Sequence, residues 1–178
     1  MSTRSLTART LIAAVLATSG ATLLAFAAPT AEARNSGGVR VERNMSLALA
    51  NELASTTVAS CQAAGFAVTA TVVDRAGGVR AVQRADQAGP HTLEASRLKA
   101  YTSASAKNTT LAMMQTAQQN PAAANLVHIP GYLLLGGGVP VKSGDEVIGA
   151  IGVGGAPGGH LDEQCAKAAL DQLAGELK

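Results

Sequence analysis

Apolar positions recur along this chain with two periods. Leu49, Ala50, Leu53, Ala54, Thr57, Val58 and Cys61 fall at helical spacing, behind Asn44 or Ser46 as a cap and ahead of Gly65 as a stop. This predicts an amphipathic helix over about 45–64, with Cys61 near its buried face. Phe66 to Asp74 is dense in β-branched residues and reads as a strand. Asp74 to Gly78 is turn chemistry, and Val79 to Arg84 alternates with the period of a half-buried strand, so the two form a hairpin. After the loop from Ala85 to His91, Thr92 caps a helix over about 93–107. Glu94 lies in its first turn, and Ala95, Leu98, Thr102 and Ala106 form one stripe. Asn108 to Thr110 restart a helix that runs to about Gln119, where Pro121 breaks it.

Short strands dominate the C-terminal half. Tyr132 to Leu135 reads as one, and the glycines 136–138 bend the chain. Val139 to Lys142 reads as a second, placed at an edge or entry position by Pro140, and Glu146 to Val153 as a third. A Gly-rich loop over 154–159 leads to a last amphipathic helix marked by Leu161, Cys165, Ala168, Ala169, Leu173 and Leu177. Asp162 and Glu163 sit near its positive end. The order is helix, hairpin, helices, three strands, helix. The expected fold is therefore α+β: an antiparallel sheet of about five strands with the N- and C-terminal helices on one face, of the profilin-like or sensor-domain type.

The first 33 residues lack this patterning. Arg4 and Arg9 precede an uncharged apolar stretch from Leu11 to Ala28, and Ala31-Glu32-Ala33 offers the small residues that a signal peptidase needs. We expect a secretory signal peptide over 1–33, a flexible tail over 34–43 and one domain over 44–178, exported to an extracellular or periplasmic compartment. Cleavage after Ala27 and an uncleaved anchor helix are the alternatives. With Arg4, Arg9 and Glu32 removed from the 14 basic and 12 acidic residues, 12 basic and 11 acidic remain, a net charge of +1. That balance, with only Phe66, Tyr101 and Tyr132 as aromatics after the leader, excludes a nucleic-acid platform and a polybasic membrane surface. Export permits a disulfide between Cys61 and Cys165, which can meet if the terminal helices pack side by side. Two buried free thiols are the alternative.

Motif chemistry is sparse. No C-x-x-C-H, zinc cluster, Walker loop or G-x-S-x-G elbow occurs, and the glycines of 152–158 match no dinucleotide fingerprint, so they read as close packing and turns. An ordered set of segments carries more. Val72-Val-Asp-Arg-Ala-Gly-Gly78, Arg84-Ala-Asp86 and Ala95-Ser-Arg-Leu-Lys-Ala-Tyr-Thr102 come first. Ile129-Pro-Gly-Tyr-Leu-Leu-Leu-Gly-Gly-Gly-Val-Pro-Val141, Gly149-Ala-Ile-Gly-Val-Gly-Gly-Ala156 and Asp162-Glu-Gln-Cys-Ala166 follow. In this order they resemble the GlcG/HbpS family of small haem-binding proteins, to which the PduO C-terminal domain is related. The resemblance covers about 45–177.

That resemblance implies non-covalent haem as cofactor and a homo-oligomer, with haem degradation in some members. It directs attention to the helix after His91. His91 is the first candidate for axial ligation and His160, beside Asp162 and Glu163, the second; Tyr101 can supply a phenolate. Thr102 can add a weak oxygen ligand or a hydrogen bond, and Arg97 and Lys99 can pair with propionates. A solvated helix face with Tyr101 at an oligomer contact is the competing reading. The expected function is haem scavenging, protection or sensing, with a membrane sensor or haem-uptake protein as possible partner. A cofactor-free oligomeric module and a haem-degrading enzyme are the alternatives.

Overall fold

The computed structural model describes residues 38–178, so the expected leader lies outside the described residues, as do residues 34–37 of the expected tail. Residues 41–178 form one compact unit. The order is α1 (Leu47–Ala63), β1 (Thr69–Asp74), β2 (Val79–Arg84), α2 (His91–Ala106) and α3 (Thr110–Gln119). A 3-10 turn (Ala124–His128), β3 (Gly138–Ser143), β4 (Glu146–Gly154) and α4 (Gly159–Gln172) follow. Ser46 caps α1 and Thr109 caps α3, each accepting a backbone N–H three residues on. Thr92 is not a cap. It lies within α2, and its hydroxyl reaches Thr69 and the Gly89 carbonyl. The end of the expected tail is tied down: Arg43 donates to Ser143 Oγ at 3.0 Å, and Arg75 pairs with Glu42 and Glu146.

The sheet is antiparallel throughout, in the order β2-β1-β4-β3. It has four strands, not about five. Tyr132 to Leu135 stays out of it because helix side chains take its backbone groups. Leu133 N–H donates to Thr102 Oγ1, and the Leu135 carbonyl accepts from Thr110 Oγ1. Pro140 lies on β3, an edge strand, where its missing donor costs no ladder bond.

The two faces of the sheet are covered differently. On one, α1 and α4 pack side by side over the main core, in which Leu53, Ala54, Ala70, Val72, Ile151, Val153, Ala166 and Ala169 are fully buried. Here Cys61 and Cys165 are bridged, 104 residues apart in sequence. Closing a loop of that size stabilises a fold by about 3–5 kcal/mol in the chain-entropy model. On the other face α2 crosses β4, β1 and β3. It comes unusually close, because β3 and β4 present no side chain where it crosses. A Cβ built on Gly152 would lie 2.0 Å from the Ser96 carbonyl oxygen and 2.5 Å from the Ala100 nitrogen; one on Gly138 would lie 2.4 Å from the Lys99 carbonyl oxygen. Between helix and sheet the contacts are small and polar: Thr69 with Thr92 and Thr71 with Ser96, each pair of hydroxyls 2.7 Å apart and buried.

Gly152→Ala forces backbone apart and is expected to destabilise the fold by about 3 kcal/mol or more, beyond the usual overpacking range at its upper end. Gly175→Ala, with nothing within 4 Å of the new methyl, is expected to stay within about 0.5 kcal/mol. Urea unfolding midpoints of the two variants check this.

A candidate site on the flank of helix α2

The close seating of α2 fixes what each of its residues can do. Lys99 points inward. It is 2% exposed, and its Nζ donates to Asp162 Oδ2 and to the Val153 carbonyl, each at 2.8 Å. Asp162 Oδ1 accepts from the Ala156 N–H at 3.0 Å. The ion pair thus joins α2, β4 and the first turn of α4. A propionate partner was expected of Lys99; instead its ammonium is committed inside the fold. Thr102 is also buried, donating to the Leu98 carbonyl and accepting from Leu133 N–H, both at 2.8 Å, so its hydroxyl ties down a loop.

Arg97 and Tyr101 lie on the opposite side of the helix. Arg97 makes a two-pronged contact with Glu94, at 2.9 and 2.7 Å, with both side chains substantially exposed. The hydrogen bonds hold the Glu94 carboxyl below, and the Arg97 guanidinium above, their ordinary values. An exposed pair of this kind contributes little to stability, so the guanidinium can exchange one carboxylate for another at small cost. The Tyr101 ring packs over Gly77 of the β1–β2 turn and Gly131, and edge-on to Tyr132 with centroids 6.4 Å apart. Tyr132 Oη is hydrogen-bonded to Ser105 Oγ at 3.0 Å. Tyr101 Oη takes no such bond among the described residues.

Strand β2 completes the surroundings. Register places Val79 opposite Val73 and Val82 opposite Thr71, so both valines face the α2 side of the sheet. Helix α2 does not cover them: Val79 is 51% and Val82 45% exposed, and Leu93, one turn before Arg97, is 43% exposed. We refer to the exposed and half-buried surface of Val79 and Val82 on β2, with Leu93, Arg97 and Tyr101 on the flank of α2, as the trough. Sequence reasoning named Arg97 and Tyr101 and missed the three apolar residues. The four-residue spacing of Leu93, Arg97 and Tyr101 was the available signal; the exposure of β2 was not readable.

His91 and His160 do not join Tyr101 at one centre. His91 is exposed at the first position of α2, ten residues from Tyr101 and thus about 15 Å along the axis. No single iron can take both. His160 is exposed at the start of α4, but the acids expected beside it are engaged elsewhere: Asp162 with Lys99, and Glu163, itself buried, with Lys167 at 2.6 Å. Among the described residues, no three His, Cys, Asp or Glu side chains gather to hold a metal.

Helices on both faces of a short antiparallel sheet define a small α+β domain of the profilin-like type. A family model described as "Haem degrading protein HbpS-like" matches residues 45–171, and the chain belongs to that family. Its structure is similar to that of a double mutant of Streptomyces reticuli HbpS, at 35% identity and TM-score 0.72, over 77% of this chain and 92% of that one. It is similar to the Klebsiella pneumoniae protein ORFY at 29% identity and TM-score 0.73, over 77% and 95%. A complex of PduOC with haem, 22% identical with a TM-score of 0.61 over 67% and 88%, shares the fold. No curated protein matches the chain. Family membership supports a haem-related function.

The buried pair makes a pH-dependent prediction. Burial is the largest influence on Asp162 and raises its carboxyl, with Lys99 and the Ala156 N–H pulling the other way. The folded protein therefore binds this proton more readily than the unfolded chain. Asp162 contributes most to stability below the ordinary carboxylate value, and that contribution is lost as pH rises through the raised one. Asp162→Asn should remove this slope, seen as the difference between wild-type and variant unfolding free energies from pH 3.5 upward.

Proposed function

We propose that this chain is an exported protein that binds haem non-covalently in the trough between α2 and β2, and acts in haem scavenging, protection or sensing. The observation that carries this reading is the pairing of an unbonded phenol and an exchangeable guanidinium with exposed apolar side chains. Haem offers complementary chemistry: an apolar ring, two carboxylates and an iron centre that accepts oxygen or nitrogen ligands. Val79, Val82 and Leu93 would pack against the ring, Arg97 would pair with a propionate in place of Glu94, and Tyr101 Oη would supply an oxygen ligand to iron. Family membership and the haem complex of a protein of the same fold support the choice of ligand. The leader-like N-terminus supports export, and the open, solvent-facing trough suits haem that is exchanged rather than retained.

Titrating haem into the chain without residues 1–33 should raise a Soret band at micromolar concentration. Tyr101→Phe should shift and weaken it. Arg97→Ala should lower affinity about tenfold, the equivalent of about 1.4 kcal/mol for one charged hydrogen-bonded contact. No spectral change would exclude haem binding, and a loss confined to His91→Ala would move the ligand to the start of α2. Sedimentation of the haem-free protein tests the homo-oligomeric module, in which the same trough is a contact between copies. The family description favours a second reading, haem degradation. It requires loss of the haem spectrum with reductant and oxygen that catalase does not prevent.

Export has its own measurement. Expressed with its leader, the secreted protein should begin at Arg34 on N-terminal sequencing, or at Ala28 if the upstream site is used. Retention of Met1 on the secreted chain would rule out cleavage.

A further inference from the structure

The bridge between α1 and α4 is buried, but its two cysteines are not equally enclosed. Cys61 is 0% exposed and belongs wholly to the core. Cys165 is 5% exposed and lines a pocket of about 170 Å³ where the end of α1 meets the start of α4. Ser60, Ala64 and Phe66 line it from the end of α1 and the residues after it, and Leu161, Gln164 and Ala168 from α4, with Gln164 exposed at its rim. No charged residue lines it. Its volume is that of five or six water molecules in the liquid, roughly enough for a reagent of a few heavy atoms.

We propose that Cys165 is a thiol-exchange site, the sulfur at which small neutral thiols open the bridge by entering this pocket. A thiolate attacks Cys165 Sγ, forming a new S–S bond to it. The Cys61–Cys165 bond breaks, and Cys61 leaves with the electron pair and takes a proton from water. A second thiolate attacks the reagent sulfur of the mixed disulfide and releases Cys165 as a thiolate, which is then protonated. Two reagent thiols are oxidised to one disulfide, and the protein bridge is reduced to two thiols. Attack at Cys61 has no comparable entrance, since that sulfur is surrounded by core. The neutral lining selects among reagents: at equal thiolate concentration, 2-mercaptoethanol reacts faster than glutathione, which is larger and carries net charge. Opening the bridge releases the clamp between the two helices and leaves Ala166, Ala169 and Leu173 holding α4 on the core. The site is thus modifiable in the folded protein, and it lies apart from the trough beside α2.

The test is the rate of bridge opening in the folded, full-length domain with excess 2-mercaptoethanol, followed by acid quench and peptide mass analysis. Mixed disulfide is expected on the Cys165 peptide, with a rate that rises in proportion to thiol. Ala168→Trp, a change at an exposed helix position that fills the pocket mouth, is expected to slow opening at least tenfold. Gln164→Ala, which trims the rim, is expected to speed it. In denaturant all three proteins should react alike, showing that the variants act through the pocket and not through the disulfide itself. Mixed disulfide mainly on Cys61, a native rate indifferent to both variants, or a rate independent of thiol concentration would overturn the proposal. The last would mean that the bridge opens only by global unfolding.

Discussion

The feature on which the rest depends is the near-contact of the α2 backbone with the sheet. It exists because strands β3 and β4 carry glycine where the helix crosses, with room for no Cβ at Gly138 or Gly152. Only small side chains fit between the layers, which explains the threonine, serine and alanine content of the inner face of α2 and its paired hydroxyls. A helix held this close brings Lys99 through to Asp162 on the far helix. Because burying the ammonium is costly unless it is paired and hydrogen-bonded, the pair in turn fixes where α4 begins.

The same seating produces the candidate site. Placed over β4, β1 and β3, α2 leaves the edge strand β2 uncovered, and the valines that would otherwise be core become part of the trough. The polar residues of α2 divide accordingly. Those facing the sheet, Lys99 and Thr102, are used up in holding layers and loops together; those facing away, Arg97 and Tyr101, keep free or exchangeable groups. A ligand site on such a surface is shallow, and its contacts can be made and broken without disturbing the core. The disulfide stands on the other side of the sheet and clamps the two ends of the domain, so the halves of the molecule are stabilised by different means.

Most of the fold was legible in the sequence, because it is written in periodicity and turn chemistry. The β1–β2 hairpin follows from β-branched residues around Gly77 and Gly78, and β2 spans the residues its alternation indicated. The terminal helices share a face, as their apolar stripes require. The extra strand over Tyr132 to Leu135 was misjudged for a physical reason. An apolar run reads as a strand only if its backbone is free to join a ladder, and here Thr102 and Thr110, distant in sequence, take its hydrogen bonds. The site was legible in part. Arg97 and Tyr101 stand out as the few large polar groups on an alanine-rich helix, whereas Lys99 looks the same as Arg97 in sequence.

What the sequence determined by itself is the α+β class, the order of the helices and of the four strands that form, the edge position of the proline-bearing strand and the family, since each rests on local spacing or an ordered set of short segments. What only the tertiary structure decided is the direction in which neighbouring residues of α2 face. Arg97 and Lys99 are two positions apart, about 200° around the helix axis. One meets solvent and pairs with Glu94, the other meets a buried carboxylate 63 residues away. No local pattern distinguishes them, because what separates them is the depth at which the helix sits. That depth is set by glycines in strands that lie elsewhere in the chain.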